Sequence, residues 1–193
     1  MSESPQAQSF IEAWQRSLPE WRIARVFVPE PQRALAEQWF ALFAALTEIA
    51  GLEPTPAAAK LAWWQEELRA WGKGARRHPL GQGLARKALP WDALAAALPA
   101  MLSPANEAGL QQLATVLADI EQALFAENAE GSARLHHDLL LILGQTPPKA
   151  TGGTRPRRVL SALVRARQQR GGQLSAWQTL RCSWQAARAG NKP

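Results

Sequence analysis

Residues 55–80 read TPAAAKLAWWQEELRAWGKGARRHPL, and this stretch decides the fold. Thr55-Pro56 is a capping residue followed by a proline in the first turn, where the missing N–H costs nothing. Leu61, Trp64, Leu68 and Trp71 then recur at three- and four-residue spacing, the period of a helix with one buried face. Gly72 stops that helix, and residues 72–79 read as a basic, glycine-containing loop.

The same grammar runs outward in both directions. Phe10, Ile11 and Trp14 mark one face of a short first helix that Leu18-Pro19 ends. A second helix opens at Pro31, carries Leu35, Trp39, Leu42, Phe43 and Leu46, and stops at Gly51. Downstream, Pro79 opens a helix that Pro90 closes, and Asp92 caps a short one ending near Pro99. Ser103-Pro104 repeats the cap-plus-proline signal before Leu110, Leu113, Leu117, Ile120 and Leu124. A further helix over residues 132–143 ends at Gly144. No stretch reads as a strand, so the expected class is all-α.

Residues 145–154, QTPPKATGGT, read as a linker, because proline and glycine break helix and strand alike. Two basic amphipathic helices follow it, over 156–170 and 175–189, with Gly171-Gly172 between them. Val159, Leu160, Leu163 and Val164 lie on one side of the first, and Trp177, Leu180 and Trp184 on one side of the second. The expected organisation is a helical domain over 1–144, a linker over 145–154 and a basic helical segment over 155–193.

Of 193 residues, 47% are hydrophobic, enough for a real core, which excludes a wholly disordered chain. Cys182 is the single cysteine, so no internal disulfide and no cysteine-based metal site can form; this fits a reducing cytoplasm. The longest apolar run, residues 39–46, is far short of the roughly 20 residues of a membrane-spanning helix. The first twenty residues hold Glu3, Glu12 and Glu20 and no apolar core, so no signal peptide is expected there. The net charge of +6 is concentrated: residues 131–193 hold eleven Lys/Arg against one acid, while the rest of the chain is slightly acidic.

Lys60, Trp63-Trp64 and Glu67-Leu68 on one helix, followed by His78-Pro79-Leu80, resemble the squalene/phytoene synthase family. The run PQRALAEQWFALFAAL at 31–46 is similar to the family's helix with an arginine and then an Ala-Leu-aromatic-Ala stretch. Glu53-Pro54 looks like divergent members. The likeness covers residues 20–90, and 91–143 match as helices of the right order. It implies a truncated bundle of the isoprenoid-synthase type around a central cavity. In active members it implies head-to-head joining of two prenyl diphosphates, with Mg²⁺ held by two aspartate-rich motifs. Mg²⁺ takes carboxylate oxygens and neutralises the departing diphosphate, and aspartates four apart share one helix face.

This chain has three aspartates, Asp92, Asp119 and Asp138, and no two are four residues apart. Where the first motif falls by resemblance, the sequence reads TEIAGLEP at 47–54, with Ala50, Gly51 and Pro54 at the aspartate positions. Where the second falls, after Gly144, the Pro/Gly linker stands instead, and the chain is shorter than the family there. The expectation is therefore no catalytic residue, no metal ligand and no cofactor, with Mg²⁺ entering only alongside a surviving family activity. The expected role is non-catalytic binding or assembly, in the cytoplasm and peripheral on the inner membrane. The alternatives are an active prenyl transferase with a cryptic metal site, and a basic helical nucleic-acid binder, which charge alone supports.

The resemblance offers Lys60, Trp63, Trp64, Glu67 and His78 as ligand-binding residues, with Lys60 addressing the phosphate of a prenyl or lipid ligand. Against this stands plain packing of the two tryptophans, which point about 100° apart, and a salt bridge for Lys60. His78 at a helix start, with Arg76 and Arg77, has the makings of a phosphate site or simply of a loop. His136-His137-Asp138 invites a metal reading, but adjacent histidines diverge on a helix. Glu127 and Glu130 read as a solvated helix end. Arg155, Arg157, Arg158, Arg165 and Arg167 are expected to bind an anionic membrane or an acidic protein partner, with Trp177 and Trp184 as anchors. The competing expectation packs the Trp177–Trp184 face on the bundle.

Overall fold

A computed structural model describes residues 5–75, 77–103, 105–125, 131–146, 150 and 152–189. The described residues form an all-α bundle. Its helices are α1 (Pro5–Ser17), α2 (Trp21–Ala24), α3 (Arg33–Thr47), α4 (Pro54–Gly72) and α5 (Gly81–Leu84). Then come α6 (Trp91–Ala97), α7 (Glu107–Phe125), α8 (Ser132–Ile142), α9 (Arg155–Arg170) and α10 (Ala176–Arg188). Short 3-10 turns join several of them.

Some ends have a local explanation, but Thr55 and Asp92, expected as caps, lie inside α4 and α6, whose caps are Glu53 and Pro90. Pro54 and Pro56 occupy the first turn of α4, and Ser175 with Gln178 forms a reciprocal capping box on α10. Gly171 closes α9 in the left-handed region, at φ +65°, which an L side chain resists. The helix expected between Pro79 and Pro90 shrinks to the single turn α5. Gly81 lies against Trp71, so close that a Cβ there would sit 2.7 Å from the indole Nε1. Glycines suit that approach but add backbone entropy that opposes a longer helix.

α3 and α7 are the central helices. Trp39, Phe40, Leu42 and Leu46 of α3 and Leu113, Leu117 and Ile120 of α7 are buried in one continuous core. α4 is a wall: Ala57, Leu61, Trp64, Leu68 and Trp71 face inward against α6, and Trp63 stays half-exposed. Rings of Trp14, Trp21, Phe40 and Phe125 follow one another through the core at centroid distances of 5.3, 4.8 and 6.2 Å. Each buried tryptophan removes roughly 200 Å² from water, worth several kcal/mol at about 25 cal/mol per Å².

The boundary expected at 145–154 does not separate two cores. Val159, Leu160 and Leu163 of α9 belong to the same buried cluster as α3 and α7. Three described residues of that segment are tied to the bundle: Arg134 reaches the carbonyls of Ala150 and Gly152, and the Thr154 hydroxyl donates to Glu121. Among the described residues no helix is long and apolar enough to cross a membrane.

Candidate functional site

The residues of the Trp-Trp helix and the His-Pro loop converge, and Glu67 is what gathers them. Its position three after Trp64 and four before Trp71 puts it on the inner face of α4, where it is 0% exposed. Four donors meet its carboxylate: Trp71 Nε1 at 2.7 Å, the backbone N–H groups of Arg77 and His78 at 3.0 and 2.8 Å, and Arg77 Nε at 3.0 Å. Burial pushes its pKa up, but these hydrogen bonds outweigh burial and hold it below the ordinary glutamate range. His78 is held below the ordinary histidine range by burial, against the attraction of Glu67. Its Nδ1 accepts from the Leu80 N–H at 3.3 Å, so the neutral ring carries its proton on Nε2. The ring packs on Phe10, Trp63 and Trp64 at centroid distances of 5.2, 5.8 and 4.8 Å.

This cluster is a latch that pins the 77–80 loop to α4. Lys60 does not join it; its ammonium lies 3.5 Å from Glu48 on the partly exposed side. Of the two readings of Lys60, the salt bridge is the one present, and Lys60 shares no site with Trp64 and Glu67. Two helical turns of shared register do not put side chains into one site here, because Lys60 turns to Glu48 while Glu67 turns to the 77–80 loop. Arg76, Glu127 and Glu130 fall outside the described residues.

A second polar cluster lies deeper. Glu121 interrupts the leucine stripe of α7 between Leu117 and Leu124 and is 1% exposed. Its Oε2 accepts from Arg157 Nε at 3.0 Å and its terminal nitrogen at 2.7 Å, and from Trp39 Nε1 at 3.0 Å. Its Oε1 accepts from Thr154. The Arg157 guanidinium also stacks over Phe43 and Phe40, 4.1 and 4.8 Å from their ring centres. Asp138 lies 3.8 Å from it and accepts from Ser161 at 2.7 Å. A terminal nitrogen of Arg165 sits 3.3–3.4 Å from both ring nitrogens of His137.

Above this cluster opens a pocket of about 290 Å³ between α1, α3, α8 and α9. Trp14, Leu18, Phe43, Leu160 and Val164 form its apolar side, while Arg157, Ser161, Arg165 and Asp138 form its polar side. Trp14 Nε1 is buried with no hydrogen-bond acceptor among the described residues. Arg165 makes no ion pair with a carboxylate among them. The donor set does not fit the Mg²⁺ site that the family resemblance implies. Both oxygens of Glu121 are already engaged, and Asp138 is held by Ser161 and Arg157. Among the described residues no group of three His, Cys, Asp or Glu is placed to hold a metal ion.

The basic stripe expected from the sequence loses two of its five arginines to the interior. Arg157 is buried at 2% exposure, and Arg158 is buried too, donating to the carbonyls of Gly153, Ala186 and Ala187. Arg167 pairs with Glu20 at 3.0 Å, and Arg165 lines the pocket. Arg155 alone of the five is fully at the surface. A charge tally does not distinguish an arginine that solvates a helix from one that neutralises a buried acid. Position does: Arg157 precedes Leu160 and Val164 by three and seven residues, on the inward face.

Comparisons with known proteins give no match: no protein-family model, no curated protein and no solved structure is significantly similar to this chain.

Proposed function

We propose that this chain is a squalene/phytoene synthase-like bundle that binds an amphipathic lipid, a prenyl or acyl chain with an anionic head, without transforming it. The pocket between α1, α3, α8 and α9 carries the reading. It joins an aromatic and aliphatic wall to Arg165, a guanidinium with no carboxylate partner among the described residues. Such a surface suits one apolar chain with one acidic end. Its volume of about 290 Å³ lies at the low end of small-molecule sites. That supports one ligand rather than the two diphosphates of a condensation. The engagement of Glu121 and Asp138 by Arg157, Thr154 and Ser161 supports binding over turnover. Withdrawal of Arg157 and Arg158 from the surface weighs against nucleic acid.

Titration calorimetry with farnesyl diphosphate and with uncharged farnesol tests this. Saturable binding is expected, with the diphosphate preferred. Ala44→Phe, which fills the pocket wall, abolishes binding, and Arg165→Gln removes the preference for the charged head. Absence of saturable binding by a chain with an intact helical circular dichroism spectrum refutes the pocket. Release of pyrophosphate from farnesyl diphosphate in the presence of Mg²⁺ refutes the non-catalytic reading and directs attention to Glu48 and Glu53.

A further inference from the structure

We infer that the outer face of α10 is an anionic-membrane docking surface, with Trp177, Leu180 and Trp184 entering the headgroup region and Arg181 and Arg188 meeting lipid phosphates. The observation behind this is an inverted helix. An amphipathic helix that serves a bundle turns its large apolar side chains inward. α10 does the opposite: its inward contacts are Cys182, Ser183, Ala186 and Ala187, all small. Trp177, Leu180 and Trp184 point to solvent, at 69, 58 and 56% exposure.

The helix is fixed in that orientation. Arg158 of α9 donates to the carbonyls of Ala186 and Ala187 at 3.1 and 3.2 Å, holding the last turn of α10 against the bundle. The capping box of Ser175 and Gln178 sets where the helix begins. The tryptophans therefore do not turn inward without breaking the Arg158 contacts.

The outward residues share one narrow face. At 100° per residue, Leu180, Trp184, Trp177, Arg188 and Arg181 fall within about 100° of the helix circumference. Trp177 and Trp184 stand about 10 Å apart along the axis. The Arg188 guanidinium lies over the Trp184 ring at 5.7 Å. Indoles flanked by long basic side chains match the boundary between acyl chains and headgroups, where the ring is half-solvated and the guanidinium reaches phosphate. Residues 155–189 contain no acid at all, so α9 and α10 hold nothing to repel an anionic leaflet.

Area and charge choose the occupant. The three apolar side chains offer roughly 400 Å², about half of the 800 Å² per partner of a stable protein interface. A second copy placed by a two-fold axis sets Arg181 and Arg188 near their own images, with no acid on either helix to neutralise them. A planar anionic surface needs neither a larger patch nor a matching shape. None of these residues lines the pocket, so this inference and the ligand reading fail separately.

Co-sedimentation of the full chain with vesicles decides it. The chain binds vesicles of phosphatidylcholine containing phosphatidylserine, does not bind phosphatidylcholine alone, and loses about tenfold or more of its affinity at high salt. W177S/W184S and R181E/R188E each lower that affinity by about tenfold or more with an unchanged circular dichroism spectrum. Val26→Ser, at an exposed apolar site elsewhere, leaves it unchanged. Equal binding to neutral and anionic vesicles, no binding at low salt, or wild-type binding by W177S/W184S overturns the proposal. So does a concentration-dependent dimer that W177S/W184S dissolves while vesicles stay unbound, which assigns the face to a second copy.

Discussion

Replacing Glu121 by alanine should be among the most damaging single changes in this chain. The carboxylate is 1% exposed and serves Arg157, Trp39 and Thr154 at once. Without it, the buried guanidinium keeps Asp138 at 3.8 Å and the faces of Phe43 and Phe40. Breaking a buried ion pair by removing one partner costs about 3–5 kcal/mol. Because Asp138 and the ring faces stay on the guanidinium, its own cost falls below that range to about 2 kcal/mol, and the orphaned Trp39 N–H and Thr154 hydroxyl each add about 1 kcal/mol. The net is a loss of about 4 kcal/mol, from a total stability of about 5–15 kcal/mol. In urea, with a slope of about 2 kcal/mol/M, the unfolding midpoint falls by about 2 M. The double variant Glu121→Leu, Arg157→Leu removes both charges and refills the space, so it should cost less than Glu121→Ala alone. Two results refute the reasoning. A midpoint shift for Glu121→Ala worth under about 1 kcal/mol would mean that Arg157 is not dependent on this acid. Strict additivity of the two leucine changes would mean that the pair is not coupled.

Three further outcomes are expected. Glu67 has a folded pKa below its unfolded one, so its stabilisation is present above about pH 4.3 and lost as the pH falls through the folded value. Glu67→Gln should flatten the acid limb of the unfolding curve, and an unchanged limb would deny the latch its charge. Burial lowers the folded pKa of His78 as well, so protonation opposes folding as the pH falls below about 6.5. Melting temperatures of His78→Gln should show a shallower slope between neutral pH and pH 5 than those of the parent chain. Gly81→Ala places a methyl group 2.7 Å from Trp71 Nε1 and should cost about 1–3 kcal/mol, measured by chemical unfolding.

The helices were legible because their ends are written in local chemistry. Proline in the first turn of α4, Ser175 before α10 and Gly171 after α9 act within a few residues of themselves. Longer-range facts were not legible in the same way. Pro79 signalled a helix that tertiary contact shortened, because Gly81 had to admit the Trp71 ring. The face of α10 is the sharper case. The sequence left its large apolar residues between outward anchors and a face packed on the bundle; they stand outward, and the small stripe Cys182, Ser183, Ala186 and Ala187 makes the contact with the bundle. Both faces have a helical period, so periodicity alone does not choose between them.

The site was half legible for a related reason. Glu67 and His78 were found through the Trp-Trp and His-Pro pattern, and the structure brings them together, though as a latch. Glu121 was passed over, although its signal was present: an acid inside a leucine stripe, with Leu117 and Leu124 on either side. Burying a lone carboxylate costs several kcal/mol, so such a residue demands a cation from elsewhere in the chain. Arg157, set into the apolar face of α9, makes the matching demand for an acid. Each position is odd alone, and together they specify a contact across 36 residues of sequence. That pairing is also why the Pro/Gly segment fails to divide the chain. A bundle ending at residue 144 would leave Glu121 buried and unpaired, so the first block requires α9 to complete its core.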